Sequence, residues 1–388
     1  MNLVYLDYAS TTPLDPRVLE IMLPYFSEKF GNSSSIHVYG QQADSALEDA
    51  RANIAQLLNG LPGEIIFTSG GSESDNMALR GVAFAQRNHR GANHLLISAT
   101  EHPAVSRTAE QLANLHGFKL EYLPVDQYGT VHPSEVARRI RPDTALVSVM
   151  FANNEIGTIN PIDEIGAICK DRDIPFHTDA VQAAAYLPID VQKLNVDLVS
   201  LGAHKLYGPK GIGALYICKG TSFIPSLTGG EQEHGLRAGT HNIPYIVGLA
   251  ESLRLAQVER HARHNKLRPM RDRMIGYILE EIPDSRLTGH PVNRLPNHAS
   301  FVFDGVDGNT LLMMLDVAGY ACSSGSACKT GDPEPSAVLL ALGLPRAWAL
   351  GSLRVTLGKD TTSQDVEAFL SALPGIVKQA RGLSENVK

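Results

Sequence analysis

From about residue 64 to residue 217, short apolar runs alternate with amphipathic helical patterns, and this alternation constrains the fold more tightly than any other feature. The run EIIFT leads into a helical pattern through Met77, Leu79 and Val82. HLLISAT leads into Pro103 to His116, KLEYLPV into Pro133 to Ile140, and ALVSVMFA into Ile162 to Asp171. Strands joined by helices predict a mostly parallel sheet covered by helices on both faces. After Asn242 the texture changes. A long charged helical stretch from Ile246 to Ile282 precedes the strand ASFVFDG, a helix at Asn309 to Ala318, a strand at Ser352 to Leu357 and a last helix from Ser363. These elements predict a second, smaller α+β unit, and a chain of 388 residues is long enough for two domains.

Open α/β sheets bind ligands beyond the carboxyl ends of their strands, so the strand ends are where chemistry is sought. One strand ends in SLGAHKLYGPKGIG, residues 200–213, which delivers His204 and Lys205 into a loop dense in glycine. A lysine serving as nucleophile must be desolvated or neutralised by neighbours, because its free amine titrates near ~10.4. A surface lysine beside a turn would read the same in this segment alone. A second strand, IPFHTDA, ends in Asp179, which could face the same crevice or simply cap the next helix. Pyridoxal phosphate needs this pair: a lysine to hold its aldehyde carbon and a carboxylate to keep its pyridine nitrogen protonated. The third segment, FTSGGSESDN, closes a strand and opens a helix, and Gly71 and Ser72 there suit a phosphate, although an ordinary capped turn has the same composition. Neither GxxxxGK[ST] nor a strand followed by GxGxxG occurs at either glycine-rich loop, which argues against a nucleotide.

Composition narrows the partners. A hydrophobic fraction of 43%, a charged fraction of 19% and a net charge of -7 describe a soluble globular protein without a basic footprint for nucleic acid. No stretch reads as a membrane span or secretory leader, so a cytoplasmic protein acting on a small molecule is expected. The 4 cysteines lack paired CxxC spacing, which predicts free thiols and no resident metal. Cys169 and Cys218 fall on apolar patterns and read as core. Cys328 lies in ACSSGSACKTGDPEPS, where serine, glycine and proline predict an exposed, mobile loop. An exposed thiol beside Lys329 has the means to form a thiolate, whereas Cys322 sits nearer the strand that feeds the loop.

The ordered motifs TSGGSESDN, EHPAV, NNEIGT, HTDAVQ, GAHKLYGPKG, RAGT and SSGSAC together resemble the cysteine desulfurases of the NifS and IscS type. The likeness runs from LDYASTTPLDP near the start to GSLRVTLG near the end. It implies the pyridoxal phosphate transferase type I fold. Residues 15–255 would form the large cofactor domain with a seven-stranded sheet, and residues 1–14 and 256–388 the small domain. The implied reaction takes sulfur from L-cysteine onto an enzyme cysteine, leaving L-alanine. Lys205 would be the Schiff-base lysine, Asp179 the partner of the pyridine nitrogen, Gln182 that of the phenolic oxygen, and His102 the residue stacked on the ring. Asn154 would lie beside cofactor and substrate. Gly71, Ser72 and His204 would hold the phosphate, with Thr240 reaching it from a second subunit, which implies a homodimer. Arg354 would clamp the substrate carboxylate, and Cys328 would accept the sulfur, later passing it to an acceptor such as an iron-sulfur scaffold.

Three departures from the family pattern stand out. Gly202 replaces a serine two residues before the histidine, GNSSS replaces GNPSS, and Glu231 and His234 occupy positions often held by glycine and arginine. Two kinds of rival remain open at this stage. One is another pyridoxal phosphate activity on the same fold, such as selenocysteine lyase; the other is a sulfur-relay or scaffold protein without catalysis.

Overall fold

The computed structural model describes residues 3–324 and 334–385. Among these residues the strands are β1 (Val4–Tyr5), β2 (Ile65–Thr68), β3 (His94–Ser98), β4 (Lys119–Leu123), β5 (Thr144–Ser148) and β6 (Phe176–Asp179). They continue as β7 (Leu198–Gly202), β8 (Gly213–Ile217), β9 (Ser285–Leu287), β10 (His298–Phe303), β11 (Tyr320–Ala321) and β12 (Ser352–Thr356). Seven of them form one sheet in the order β2-β8-β7-β6-β5-β3-β4. The pairs β3/β4, β3/β5, β5/β6 and β6/β7 are parallel, whereas β8 runs antiparallel to both its neighbours, β2 and β7. Strands β2, β3 and β5 to β8 are buried along their whole length, as continuous Val, Ile and Leu runs require when helices cover both faces.

The apolar core lies on both sides of this sheet. One cluster, with Ile66, Leu79, Val82, Leu95, Ile97 and Leu112, packs the helices Gly71–Arg90 and Pro103–His116 onto one face. The larger cluster fills the other face and continues without a break into the second unit through Leu267, Met274, Phe301, Leu353 and Phe369. There β12, β10 and β9 form an antiparallel sheet, and β1 pairs in parallel with β11. The long helix predicted after Asn242 extends from Ile243 to Glu281, its first turn capped by the Asn242 side chain, and crosses the expected boundary at 255/256 without interruption. No helix among the described residues is long and apolar enough to cross a membrane.

Cys169 is buried, as its helical pattern predicts. Cys218 differs: β8 ends at Ile217, one residue earlier, and leaves the thiol half-buried at the strand's end. The predicted loop containing Cys328 falls largely within residues 325–333, so Cys328 lies outside the described residues.

Candidate active site

Strands β6 and β7 run side by side and end together, so Asp179 and the turn after Gly202 emerge at the same edge of the sheet. A cavity of about 610 Å³ opens there. Its walls bring together Gly71, Ser72, His102, Asn154, Asp179, Gln182, His204 and Lys205 from chain segments that the sequence keeps far apart.

Lys205 closes the short turn Ala203–Lys205 after β7. Two residues on, Tyr207 adopts φ +62, a conformation that costs an aromatic residue free energy. It is held there because its N–H donates to Thr12 Oγ1 at 2.9 Å and its hydroxyl accepts from Lys359 N at 2.8 Å. The Lys205 ammonium donates to Ala9 O at 2.6 Å. Burial lowers its pKa to about 8, with the nearby Arg354 charge adding to the shift while Asp7 and Asp179 oppose it. A free amine is thereby accessible near neutral pH.

Asp179 is buried, and its Oδ1 accepts from Val181 N at 2.9 Å. Desolvation raises its pKa, while His102 and Lys205 favour its charged form. A buried carboxylate of this kind calls for a cationic partner. His102 caps the helix Pro103–His116 by accepting from Ala104 N at its Nδ1, 3.1 Å away, so the neutral ring carries its proton on Nε2. Burial lowers the His102 pKa and favours that neutral form. His204 is lowered to about 4 by burial and by the charges of Lys205 and Lys210.

The end of the cavity at the helix start is built from backbone. The 20-residue helix Gly71–Arg90 begins at the cavity, with Ser69, Gly70, Gly71 and Ser72 in the wall. A Cβ on Gly71 would stand 2.6 Å from Val181 Cγ2, so only glycine fits there. A Cβ on Gly202 would meet Val181 Cγ1 at 3.4 Å and Gly71 N at 3.5 Å, which places the missing family hydroxyl at this same cradle.

Two expected site residues do not lie in the wall. Thr240 is exposed on the loop before Asn242. Arg354, on β12, is buried behind Ser10 and Asn154 and donates to Asn154 O at 3.0 Å. Asn153, the first of the asparagine pair, shapes the turn by accepting from Glu155 N and Ile156 N.

Other residues near the site carry no role in the sequence analysis. Asp75 lines the cavity, fully buried, and Glu101 is buried nearby. Desolvation raises the pKa of both, reinforced by Asp179, and Glu101 reaches about 8. Burial thus favours the neutral acid at both positions. His177 is pushed down to about 3 by burial and bonds Ser148 and Ser200 through its two ring nitrogens, and its Nε2 lies 3.6 Å from Asp75 Oδ1. Both acids sit inside quoted motifs, TSGGSESDN and EHPAV, which is the only sequence signal they gave.

A family model, Aminotransferase class-V, matches residues 4–369 of the chain. The chain belongs to this family. The class-V chain is 49% identical over 381 residues to the cysteine desulfurase IscS of Methanosarcina thermophila, covering 98% of this chain and 93% of that protein. It is 47% identical over 383 residues to the cysteine desulfurase IscS of Clostridium botulinum, covering 98% and 96%. Among solved structures, a NifS-like protein superposes with a TM-score of 0.90 at 36% identity, covering 97% of this chain and 100% of the other. SspA in complex with cysteine superposes at 0.79 with 37% identity, covering 91% and 98%. These likenesses give the fold as the pyridoxal phosphate transferase type I fold, and the cofactor of this class-V enzyme is pyridoxal 5′-phosphate. The cavity fits it: a glycine cradle at a helix start, a buried carboxylate and a lysine of lowered pKa line one wall-to-wall space.

Proposed function

We infer that the protein is a cysteine desulfurase, converting L-cysteine to L-alanine while its sulfur passes to an enzyme cysteine. The observation that carries this reading is the shared cavity of Lys205, Asp179 and His102 at the strand ends, in a chain so similar to named desulfurases. Pyridoxal phosphate supplies an electron sink for charge developing at the amino acid's Cα. Lys205 would hold its aldehyde carbon, and its Nζ, whose lowered pKa favours the free amine, would take the Cα proton. Asp179 holds the proton of the pyridine nitrogen by charge, in a site where burial strengthens the interaction. His102 covers the ring, and Gln182 faces the phenolic oxygen. Gly71, Ser72 and His204 take the phosphate, with the helix start supplying N–H groups. Asn154 would lie beside cofactor and substrate, and Arg354 would receive the substrate carboxylate. The Cys328 thiolate attacks the substrate sulfur, forming the S–S bond of a persulfide as the C–S bond breaks.

The active form is a homodimer in which Thr240 of each chain reaches the other's phosphate. The exposed apolar side chains of Leu23, Phe26, Phe30, Ile36, Val38 and Tyr39, clustered in one stretch of chain, suit burial against a second copy. Residues 15–255 form the cofactor domain and 1–14 with 256–388 the small domain, the helix Ile243–Glu281 serving both. The protein works in the cytoplasm and hands sulfur to an acceptor protein such as an iron-sulfur scaffold.

The test is a visible spectrum with L-cysteine added, followed by sulfide and alanine assays of the wild type, Lys205→Ala and Cys328→Ala. Removing either residue is expected to lower sulfide release by about 10³-fold or more. Sulfide formed at the wild-type rate by Cys328→Ala would sink the persulfide route. A colourless, inert protein would point to a relay role without catalysis.

A further inference from the structure

The segment after β1 passes directly over the site. Its backbone and side chains hold several active-site groups at once. Ala9 O accepts from both Lys205 Nζ and Gln182 Nε2, at 2.6 and 2.8 Å, and Thr11 Oγ1 meets His204 Nδ1 at 3.2 Å. Arg354 is held by the same segment: its Nη2 donates to Asp7 Oδ1 at 2.8 Å and to Ser10 Oγ at 2.8 Å. Its Nη1 donates to Asn154 O at 3.0 Å, and its buried Nε has no partner among the described residues.

A guanidinium grips a carboxylate with two hydrogens along one edge. It has two such edges, Nε with Nη2 and Nη1 with Nη2, and both include Nη2. Nη2 has only two hydrogens, and Asp7 and Ser10 take both. An incoming carboxylate therefore gains a two-point grip only by displacing one of them. Arg354 also stands behind Ser10 and Asn154 rather than on the cavity wall. Asp7 is the charged one of the two partners, and its side chain is mostly buried against an Arg354 that is 7% exposed. Other titratable groups facing Arg354 are Lys205, Glu155, His298, Tyr5 and the Cys322 thiol, each of which feels its charge.

We propose that Asp7 is an internal carboxylate that occupies Arg354 in the resting site and competes with the carboxylate of the substrate, so that it sets substrate affinity. The proposal rests on Arg354 being the carboxylate clamp. Asp7 acts through Arg354 and is a positioning residue. Substrate binding then includes an exchange of one carboxylate for another at Nη2, with Asp7 moving out toward solvent. This exchange gives a net charge on the site that stays constant, and it discriminates against ligands that lack a carboxylate strong enough to replace Asp7.

The experiment is calorimetric titration of the holoenzyme with 3-mercaptopropionate, which carries the thiol and carboxylate of the substrate but no amine to react. Wild type, Asp7→Asn, Ser10→Ala and Arg354→Gln are compared, with KM and kcat for L-cysteine measured beside them. Asp7→Asn keeps the shape and the acceptor oxygen while removing the charge. It is expected to tighten binding of the probe by about fivefold, and to lower KM for L-cysteine by more than it changes kcat. Ser10→Ala, which frees a hydrogen without changing charge, is expected to tighten binding less. Unchanged or weaker binding in Asp7→Asn, with Arg354→Gln clearly weakened, would overturn the competition and leave Arg354 as the clamp. Arg354→Gln binding the probe as well as wild type would overturn the clamp itself.

Discussion

The two edges of the seven-stranded sheet each hold a cavity lined by charged groups, of about 610 and 540 Å³, yet only one is arranged for chemistry. At the far edge, where β6 and β7 begin, three of the charged side chains have hydrogen-bond partners. Arg90 donates to Gln86, Pro142 and Thr144, Lys170 reaches Asn195 Oδ1 at 3.2 Å, and Asp197 accepts from Phe176 N at 2.8 Å. At the near edge, by contrast, burial shifts the titration of several groups at once. Among the described residues Asp75 Oδ1 and Glu101 Oε2 have no hydrogen-bond partner, Glu101 is raised to about 8, and the Lys205 amine is pulled down to about 8. Size and charge content do not distinguish the two cavities. Unsettled electrostatics in a desolvated space does, because that is where a ligand's charges gain most.

The sharpest way to break this comparison is to make the same change at both edges. Asp179→Asn is expected to lower desulfuration by about 10²-fold or more, whereas Asp197→Asn, whose acceptor serves one backbone N–H, is expected to cost about 1 kcal/mol of stability and leave activity nearly unaltered. Parallel activity assays and urea unfolding of the two variants would check this, and equal activity losses would erase the distinction.

A second, smaller effect concerns a charge that is buried and fully paired beside the site. Glu233 accepts from Arg51 Nη1 and Nη2 at 2.8 and 3.0 Å, from Phe67 N at 2.9 Å and from His241 Nε2 at 2.7 Å, at a backbone φ of +50. Glu231 and His234 are the residues of this loop that depart from the family pattern. It is the intervening Glu233 that turns inward. Despite the cost of burial, these partners hold its pKa at about 2, below the ordinary ~4.3. A depressed carboxylate pKa contributes stability that is present above about pH 4.3 and fades as the pH falls toward 2. Glu233→Gln, which leaves Arg51 buried without its counter-charge, is expected to cost about 3 kcal/mol at pH 7 and to flatten the acid limb. Thermal unfolding from pH 7 to pH 3 would show both.

The mildest change fills the gap at the phosphate cradle. Gly202→Ser places a hydroxyl beside Gly71 N without a severe clash, and is expected to tighten pyridoxal phosphate by about fivefold, the net value of one hydrogen bond. Fluorescence titration of the cofactor-free protein would measure it. A looser cofactor would mean that Gly202 is needed for close packing against Val181.

Much of this was legible from the chain because it depends on near neighbours. Lys205 and Asp179 are found from strand-end positions, and Gly71 and Ser72 from a helix start after a strand, since periodicity and turn chemistry act over a few residues. The alternation of strands and helices likewise implies the parallel sheet, although the reversed β8 inside it is not encoded by any local pattern. Asp75, Glu101 and His177 were in view but without roles, because a carboxyl or imidazole is ordinary until burial changes its charge. The pairing of Asp7 with Arg354 joins residues 347 positions apart in the chain. By itself, then, the sequence determined the fold class, the family, the cofactor and the residues placed at strand ends. Only the tertiary structure decided which of those residues lose water, which charges remain uncompensated and which carboxylate already occupies Arg354, because desolvation and long-range pairing exist only once the chain has closed on itself.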